Sequence, residues 1–518
     1  MQILSPWLVL GILGAYFLLL MGVAYLTGRR VDASGFFLAG RRAPWYVVAY
    51  GMIGVSISGV TFISVPGAVG LASDPADGIF PINRGLGYCQ IVLGYLAGYL
   101  FIGLVLMPLY YRLQLTSIYG YLERRFGRAA WKTGAGFFLL SRTLGSATRM
   151  FLAALVLQEF VFRHFGVPFE LTAALMLALI YAYTFRGGMK TLIWTDVIMT
   201  TFFLAAVVWT VSNIVGALQL DAGSLVSAIR ESRYGQVFFW DHFARDPNHF
   251  VKQFVGGAFV AIVMTGLDQD LMQKNLSCRN IRDAQKNMSV FCIYMVLINI
   301  AFLTLGALLY LYADANGIEI PERTDYLYPK IAFFHLEMAA GIFFILGLIA
   351  STYASSDSAL TALTTSFCID FLQFEKKWQE ADPYASDEEQ QAWRQREQAR
   401  QKRLRTLTHL GFSILFAAII IVLEKISRGA VITLLFQIAA YTYGPLLGLF
   451  TFGLFTRRRL RSAWILPVCI VAPALTWLID QVSKPEFHMG FLTFPLNGLI
   501  CFVALWAISE PEAGGERP

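Results

Sequence analysis

"GMIGVSISGVTFISVPG" (residues 51–67) is apolar enough to lie in a bilayer, yet glycines, a proline and a run of hydroxyls interrupt it near its middle. Unwinding a helix in hydrocarbon is costly for every backbone group left without a partner, so a break survives only where it is buried in protein or lines a cavity. A break also frees carbonyl oxygens, which are hard ligands suited to a small cation, and exposes half-helix dipoles to a charged solute. In "GVSISG" (54–59) the candidate groups are the carbonyls of Gly54 and Ile57 and the side chains of Ser56, Ser58 and Thr61. The same small residues also suit close helix packing, and the stretch alone does not choose between the two readings.

The rest of the chain places this stretch in a membrane protein. Of 518 residues, 57% are hydrophobic and only 14% charged, a balance that would leave a soluble protein with much apolar surface in water. A bilayer-spanning helix needs about 20 predominantly apolar residues. About thirteen such stretches are expected, near 5–27, 44–72, 85–110, 133–163, 168–185, 191–217, 251–273, 287–313, 331–372, 406–424, 428–456, 462–481 and 491–509. The whole chain, 1–518, therefore reads as one all-α polytopic membrane domain, with its first segment an anchor and not a leader.

Net charge is +7, but the basic residues do not form a nucleic-acid patch. They fall in alternate short loops: Arg29, Arg30, Arg41 and Arg42; Arg124, Arg125 and Arg128; Arg186 and Lys190; Lys274, Arg279 and Arg282; Arg457, Arg458, Arg459 and Arg461. This positive-inside pattern, with an odd number of spans, predicts an outside N-terminus and a cytoplasmic C-terminus in a plasma membrane, of the bacterial inner-membrane type. The long mixed-charge run, 374–405, reads as a solvated helical linker on the cytoplasmic side. The six cysteines have no paired spacing and the six histidines no ligand spacing, so no disulfide framework, metal centre or enzyme constellation is indicated.

A second interrupted segment, "MTGLDQDLMQ" (264–273), lies five spans after the first. Glycine-interrupted spans at corresponding places in two halves point to an inverted-repeat transporter. In "LIASTYASSDSALTALTTSFCIDF" (348–371), Ser351, Ser355 and Ser358 share one helical face, with Asp357 and Thr361 on its flank. Asp357, Asp196 in "MKTLIWTDVIMTT" and Asp268 are carboxylates at membrane depth, where a charge is rare without a role. With hydroxyls and freed carbonyls they make an all-oxygen environment suited to Na⁺. Arg142 and Arg149 lie in one apolar span, each either paired with an aspartate or held for an anionic group. Gln90, Gln269 and Gln437 are polar groups in apolar runs, read either as contacts to a hydroxyl-rich ligand or as bonds between helices.

Taken together, "ISGVTFISVPGAVG", "PLYYRLQLTSIYGYLERRFG", "RGGMKTLIWTDVIMT", "GLDQDLMQKNLSCRNIRDAQKNM" and "SSDSALTALTTSFCIDF" resemble the sodium:solute symporter family in order and spacing. The resemblance implies a leucine-transporter-like fold of five plus five inverted helices. The first repeat would be 44–217 and the second 251–456, with an extra helix at 5–27 and two more at 462–509. It implies a sodium site at Gly54, Ile57, Ser351 and Ser355, with Ala354 where the family usually has the first of two adjacent hydroxyl residues. A second sodium site would involve Asp196, Asp357 and Ser358. Ser56, Ser58 and Thr61 would face the solute, and Arg149 falls at or near the position that holds a carboxylate in sialic-acid-transporting relatives. Gln90, Asp268, Gln269 and Gln437 complete the candidate solute contacts.

The expected function is sodium-coupled symport of a small polar, anionic solute such as sialic acid, by a monomer or weak oligomer using Na⁺ and no organic cofactor. Proton coupling is the nearest alternative, and neutral sugars, polyols, amino acids and monocarboxylates are alternative solutes.

Overall fold

The computed structural model describes residues 5–27, 37–70, 84–184, 188–374, 386–427, 431–484 and 486–511. Arg29, Arg30, Arg186 and the linker residues 375–385 lie outside them, as does the side chain of Lys190. The described chain is almost entirely helical: α1 (Pro6–Thr27), α2 (Trp45–Ser56), α3 (Gly59–Ala68), α4 (Tyr88–Arg112), α5 (Gly120–Phe126), α6 (Arg128–Phe160), α7 (Phe169–Thr184), α8 (Gly188–Ala217) and α9 (Ala222–Glu231). There follow α10 (Phe250–Gly266), α11 (Gln269–Leu276), α12 (Ile281–Asn316), α13 (Leu327–Phe334), α14 (Met338–Phe371), α15 (Asp387–Ile426), α16 (Val431–Thr442), α17 (Gly444–Phe455), α18 (Ser462–Ser483) and α19 (Gly490–Ala507).

Among the described residues, eight helices are long and apolar enough to cross a membrane, and three bent pairs raise the number to eleven. The thirteen-segment expectation also counted α6 and α7. The charges of α6, Arg142 and Arg149 among them, lower its hydropathy, and α7 has 16 residues.

Both anticipated interruptions are present. The α2/α3 pair bends by 57° and α10/α11 by 63°. A third break, α16/α17, bends by 43° at Tyr443 within a stretch read from sequence as one continuous span, 428–456. Gly444 and Pro445 at the start of α17 account for it, since proline removes a ladder donor and crowds the preceding turn.

α14 is the hub of the bundle, with 72% of its apolar window buried against 22% in α1 and α18. A helix so rich in hydroxyls is stable there because many bond back to its own carbonyls: Thr364 Oγ1 to Leu360 O at 2.7 Å and Thr365 Oγ1 to Thr361 O at 2.8 Å. α8 packs along α14, and α2 lies against both. α4 meets α10 backbone to backbone. A Cβ on Gly94 would lie 2.1 Å from Phe254 O, and one on Gly257 would lie 2.3 Å from Ile91 O.

The charged linker is helical where it is described. A capping box between Ser386 and Glu389 starts α15, which then runs for 40 residues without a break into its apolar half. Arg41 reaches Leu115 O, Arg125 reaches the carbonyls of Thr456 and Arg458, and β1 (Arg458–Leu460) pairs antiparallel with β2 (Ser509–Pro511). These arginines therefore gather on one face of the bundle.

Because the α4–α10 contact leaves no room for a methyl, Gly94→Ala or Gly257→Ala is expected to cost about 1–3 kcal/mol of stability. The check is the thermal unfolding midpoint of the purified variants, with Gly103→Ala, where a Cβ meets nothing within 4 Å, as the neutral control.

Candidate functional site

The α2/α3 break is two residues long. Ile57 (φ −92°, ψ 91°) and Ser58 (φ −84°, ψ 176°) are extended, so the helical ladder stops after Ile57 N–H bonds Ile53 O at 2.9 Å and resumes from Ser58 O. Among the described residues no hydrogen bond reaches the carbonyls of Gly54 and Ile57. The α10/α11 break is resolved differently. Tyr110 donates to Gly266 O at 2.9 Å and Tyr119 to Leu267 O at 3.0 Å, while Asp268 caps α11 by accepting from Asp270 N–H at 2.9 Å. One break thus has protein partners for its freed backbone, and the other presents bare oxygens.

α14 faces the bare oxygens. A Cβ on Gly54 would sit 3.5 Å from the Ala354 methyl, and one on Gly59 would sit 2.4 Å from Thr352 Oγ1, so glycines on either side of the break let α14 approach it. Ser351 and Ser355 bond back to Leu348 O and Thr352 O at 3.1 and 2.9 Å. The hydroxyls of Thr352, Ser356 and Thr361 are buried without a partner, as is Ser56 Oγ on α2. Two of the orphaned hydroxyls, Thr352 and Ser356, therefore stand one position later than the expected Ser351 and Ser355. The adjacent hydroxyl pair of this turn is Ser355–Ser356, and the Ala354 methyl packs against Gly54.

The carboxylates have separate bonding partners. Asp196 Oδ2 forms a buried ion pair with Lys274 of α11, and its Oδ1 is unpartnered. Asp357 accepts from Tyr183 OH at 2.7 Å and from Ser358 N–H at 2.6 Å. Ser358 Oγ donates to Asp270, which also pairs with Arg142. Lys274, read from sequence as a loop charge, is 1% exposed. Asp270, Lys274, Tyr183 and Tyr443 were missed as partners because each acts across a long sequence separation. The only local sign was the charge density of "DQDLMQK".

A cavity of about 80 Å³ opens beside the first break. Ser56, Ser58 and Thr61 line it with Tyr88, Tyr95, Arg142 and Arg149. The two arginines differ. Arg142 pairs with Asp270 and lies 3.8 Å from Asp268, whereas Arg149 makes no ion pair among the described residues; the buried Nε of each has no partner.

The other expected solute contacts lie elsewhere. Gln90 ties α4 to the 239–248 segment, donating to Asn248 O at 2.9 Å and accepting from Phe239 N–H at 3.2 Å. Gln269 holds the 116–118 turn, donating to Thr116 O and accepting from Ile118 N–H. Asp268, besides capping α11, accepts from Tyr443 OH at 2.5 Å. Gln437 lines a different pocket.

The comparisons with known proteins decide the family. The model of the sodium:solute symporter family matches residues 36–463. The chain belongs to that family. Its members are sodium-coupled transporters rather than enzymes, and this symporter is a multi-pass membrane protein with Na⁺ as coupling ion. It is 23% identical to the sodium/sialic acid symporter NanT of Aliivibrio fischeri over 92% of this chain and 89% of the relative. It is 25% identical to the human sodium/iodide cotransporter, over 84% of this chain and 63% of that longer one. The fold is similar, at a TM-score of 0.75 and 19% identity over 96% of both chains, to a substrate-bound, outward-open Na⁺-coupled sialic acid symporter.

Breaking the buried Lys274–Asp196 pair from one side strands a charge. Lys274→Met is therefore expected to cost about 3–5 kcal/mol. The double variant Lys274→Met/Asp196→Asn should recover much of that loss in thermal unfolding of the detergent-purified protein.

Proposed function

We propose that this symporter imports a small anionic solute, of which sialic acid is the leading candidate, with Na⁺ bound at the α2/α3 break. The observation that carries the solute class is Arg149: a buried guanidinium without an acidic partner, lining the cavity beside the break, suits bidentate capture of a carboxylate. The solutes named for two relatives, sialic acid and iodide, are both anions. For Na⁺ the support is the hard oxygen set of the Gly54 and Ile57 carbonyls with the Ser355 and Ser356 hydroxyls, in place of the expected Ser351 and Ala354. For a second ion Asp196 offers its unpartnered Oδ1, while Asp357 and Ser358 are engaged by Tyr183 and Asp270.

Coupling then follows from linkage. Na⁺ at the break stabilises the arrangement in which Ser56, Ser58, Thr61 and Arg149 face the solute, and the solute raises Na⁺ affinity by the same factor. Each positive charge carried inward contributes about 2.3 kcal/mol per 100 mV. The 80 Å³ cavity has room for only a few waters at about 30 Å³ each, so a sugar acid enters when the surrounding helices separate. The face bearing Arg41, Arg125 and Arg458 is assigned to the cytoplasm, which puts the N-terminus outside and the C-terminus inside.

Proton coupling is the second reading. It is favoured by Asp357, whose side chain is fully buried with a phenol and an amide as its hydrogen-bond partners. Sialic acid uptake into proteoliposomes at fixed pH, in Na⁺ against K⁺, separates the two readings, and uptake indifferent to Na⁺ overturns the first.

Two substitutions test the roles. Arg149→Ala is expected to weaken acidic solutes about 10–100-fold, the equivalent of about 1.5–3 kcal/mol for a charged hydrogen bond. Equal loss for neutral solutes would make the arginine structural. Ser355→Ala or Ser356→Ala should raise the half-saturating Na⁺ concentration while leaving solute affinity at saturating Na⁺ unchanged.

A further inference from the structure

The larger of the two cavities described lies away from the break. It measures about 220 Å³ and is bounded by α16, α18 and the turn into α19. Tyr441 of α16 and Trp477 and Asp480 of α18 line it, with Lys484 and His488 from the connecting turn and Gln437 beside them. Asp480 is 7% exposed, and a carboxylate at the end of an otherwise apolar helix calls for a partner or a role. It accepts from Tyr441 OH at 3.2 Å and pairs with Lys484 at 3.3 Å. His488 is pinned by its backbone: its N–H donates to Ala244 O at 2.8 Å, and its carbonyl accepts from Lys252 Nζ at 2.5 Å. Its Nδ1 is buried with no partner. Burial lowers His488 below the usual histidine value, so at neutral pH the ring offers one donor and one acceptor nitrogen.

The lining selects a class of ligand. Asp480 and Lys484 neutralise each other, so the pocket has no net charge with which to hold an ion. The lining combines donors and acceptors, Gln437, Tyr441, Asp480, Lys484 and His488, with the Trp477 indole, which suits a ring bearing several hydroxyls. At about 30 Å³ per water the volume corresponds to roughly seven waters, or one monosaccharide-sized molecule. Phe436 lines this pocket and the central cavity alike, and its ring meets Phe491 edge-on at 4.9 Å. Phe436 is the residue that the two linings share.

We propose that this pocket is a second binding site, for a hydroxyl-rich, monosaccharide-sized solute, where the solute is held before it passes Phe436 to the central cavity. Only the identity of the two solutes rests on the reading given under Proposed function. The pocket's ligand class rests on its own residues, and because none of them lies at the α2/α3 break, binding here requires no Na⁺.

The test is site-directed labelling of Gln481→Cys, at an exposed position lining the pocket, by a membrane-impermeant thiol reagent. Gln437→Cys serves as a second reporter should the first fail to fold. Rates are read against the parent chain, whose own Cys89 and Cys292 are half-buried. The probes are sialic acid and galactose, each in Na⁺ and in K⁺. The expected result is several-fold protection by sialic acid in both salts, retained with Arg149→Ala and lost with Asp480→Asn. Labelling indifferent to both sugars at both reporters overturns the proposal. So does protection that requires Na⁺ and disappears with Arg149→Ala, because it would report the central site. Protection by galactose alone upholds the pocket and counts against the anionic-solute reading.

Discussion

A backbone carbonyl in hydrocarbon needs a partner, and the organisation of this protein follows from how each freed carbonyl is answered. At the α10/α11 break the answers are Tyr110 and Tyr119, whose phenols reach Gly266 and Leu267. At the α2/α3 break the carbonyls of Gly54 and Ile57 take no hydrogen bond from the described residues, and the neighbouring helix contributes the hydroxyls of Thr352 and Ser356, unpartnered among those residues. Two interruptions that look alike in sequence are therefore chemically opposite. One is a finished joint, and the other is an oxygen-lined seat suited to a small hard cation.

The same division runs through the buried charges. Arg142, Asp268, Asp270, Asp196 and Lys274 form ion pairs that hold α6, α8 and α11 together, and each member is compensated by another. Desolvated pairs of this kind add little net stability but penalise misplacement heavily, so they specify register. Arg149 stands seven residues, about two helical turns, after Arg142 on the same helix and has no acidic partner among the described residues. The contrast between neighbours on one helix separates an arginine that fastens the bundle from one suited to a ligand.

The helical membrane class and the α2/α3 break with its hydroxyls Ser56, Ser58 and Thr61 were legible because their signals are local: long apolar runs, and glycines and hydroxyls within one turn. The α16/α17 break had a local signal too, in Gly444–Pro445, but the apolar runs on either side masked it. Gln90, Asp268 and Gln269 could not be assigned from sequence, since a polar residue in an apolar run looks the same whether it faces a solute or ties two segments together. Gln90 to Asn248 crosses 158 residues, and Gln269 to Ile118 crosses 151. Lys274 was misread for the same reason: its partner Asp196 is 78 residues away, and the charge density of "DQDLMQK" does not by itself mark it as buried.

The bond between Tyr443 and Asp268 joins the third break to the second, since Tyr443 sits at the bend of α16/α17 and Asp268 at that of α10/α11. A machine with independent joints would visit mixed shapes, some with both ends ajar, and in those shapes ions would leak down their gradient without cargo. Tying two joints together with one short hydrogen bond removes many of those shapes from the ensemble. Tightness of coupling, in this reading, depends on the kinematics of the scaffold as well as on the affinity of the ion seat.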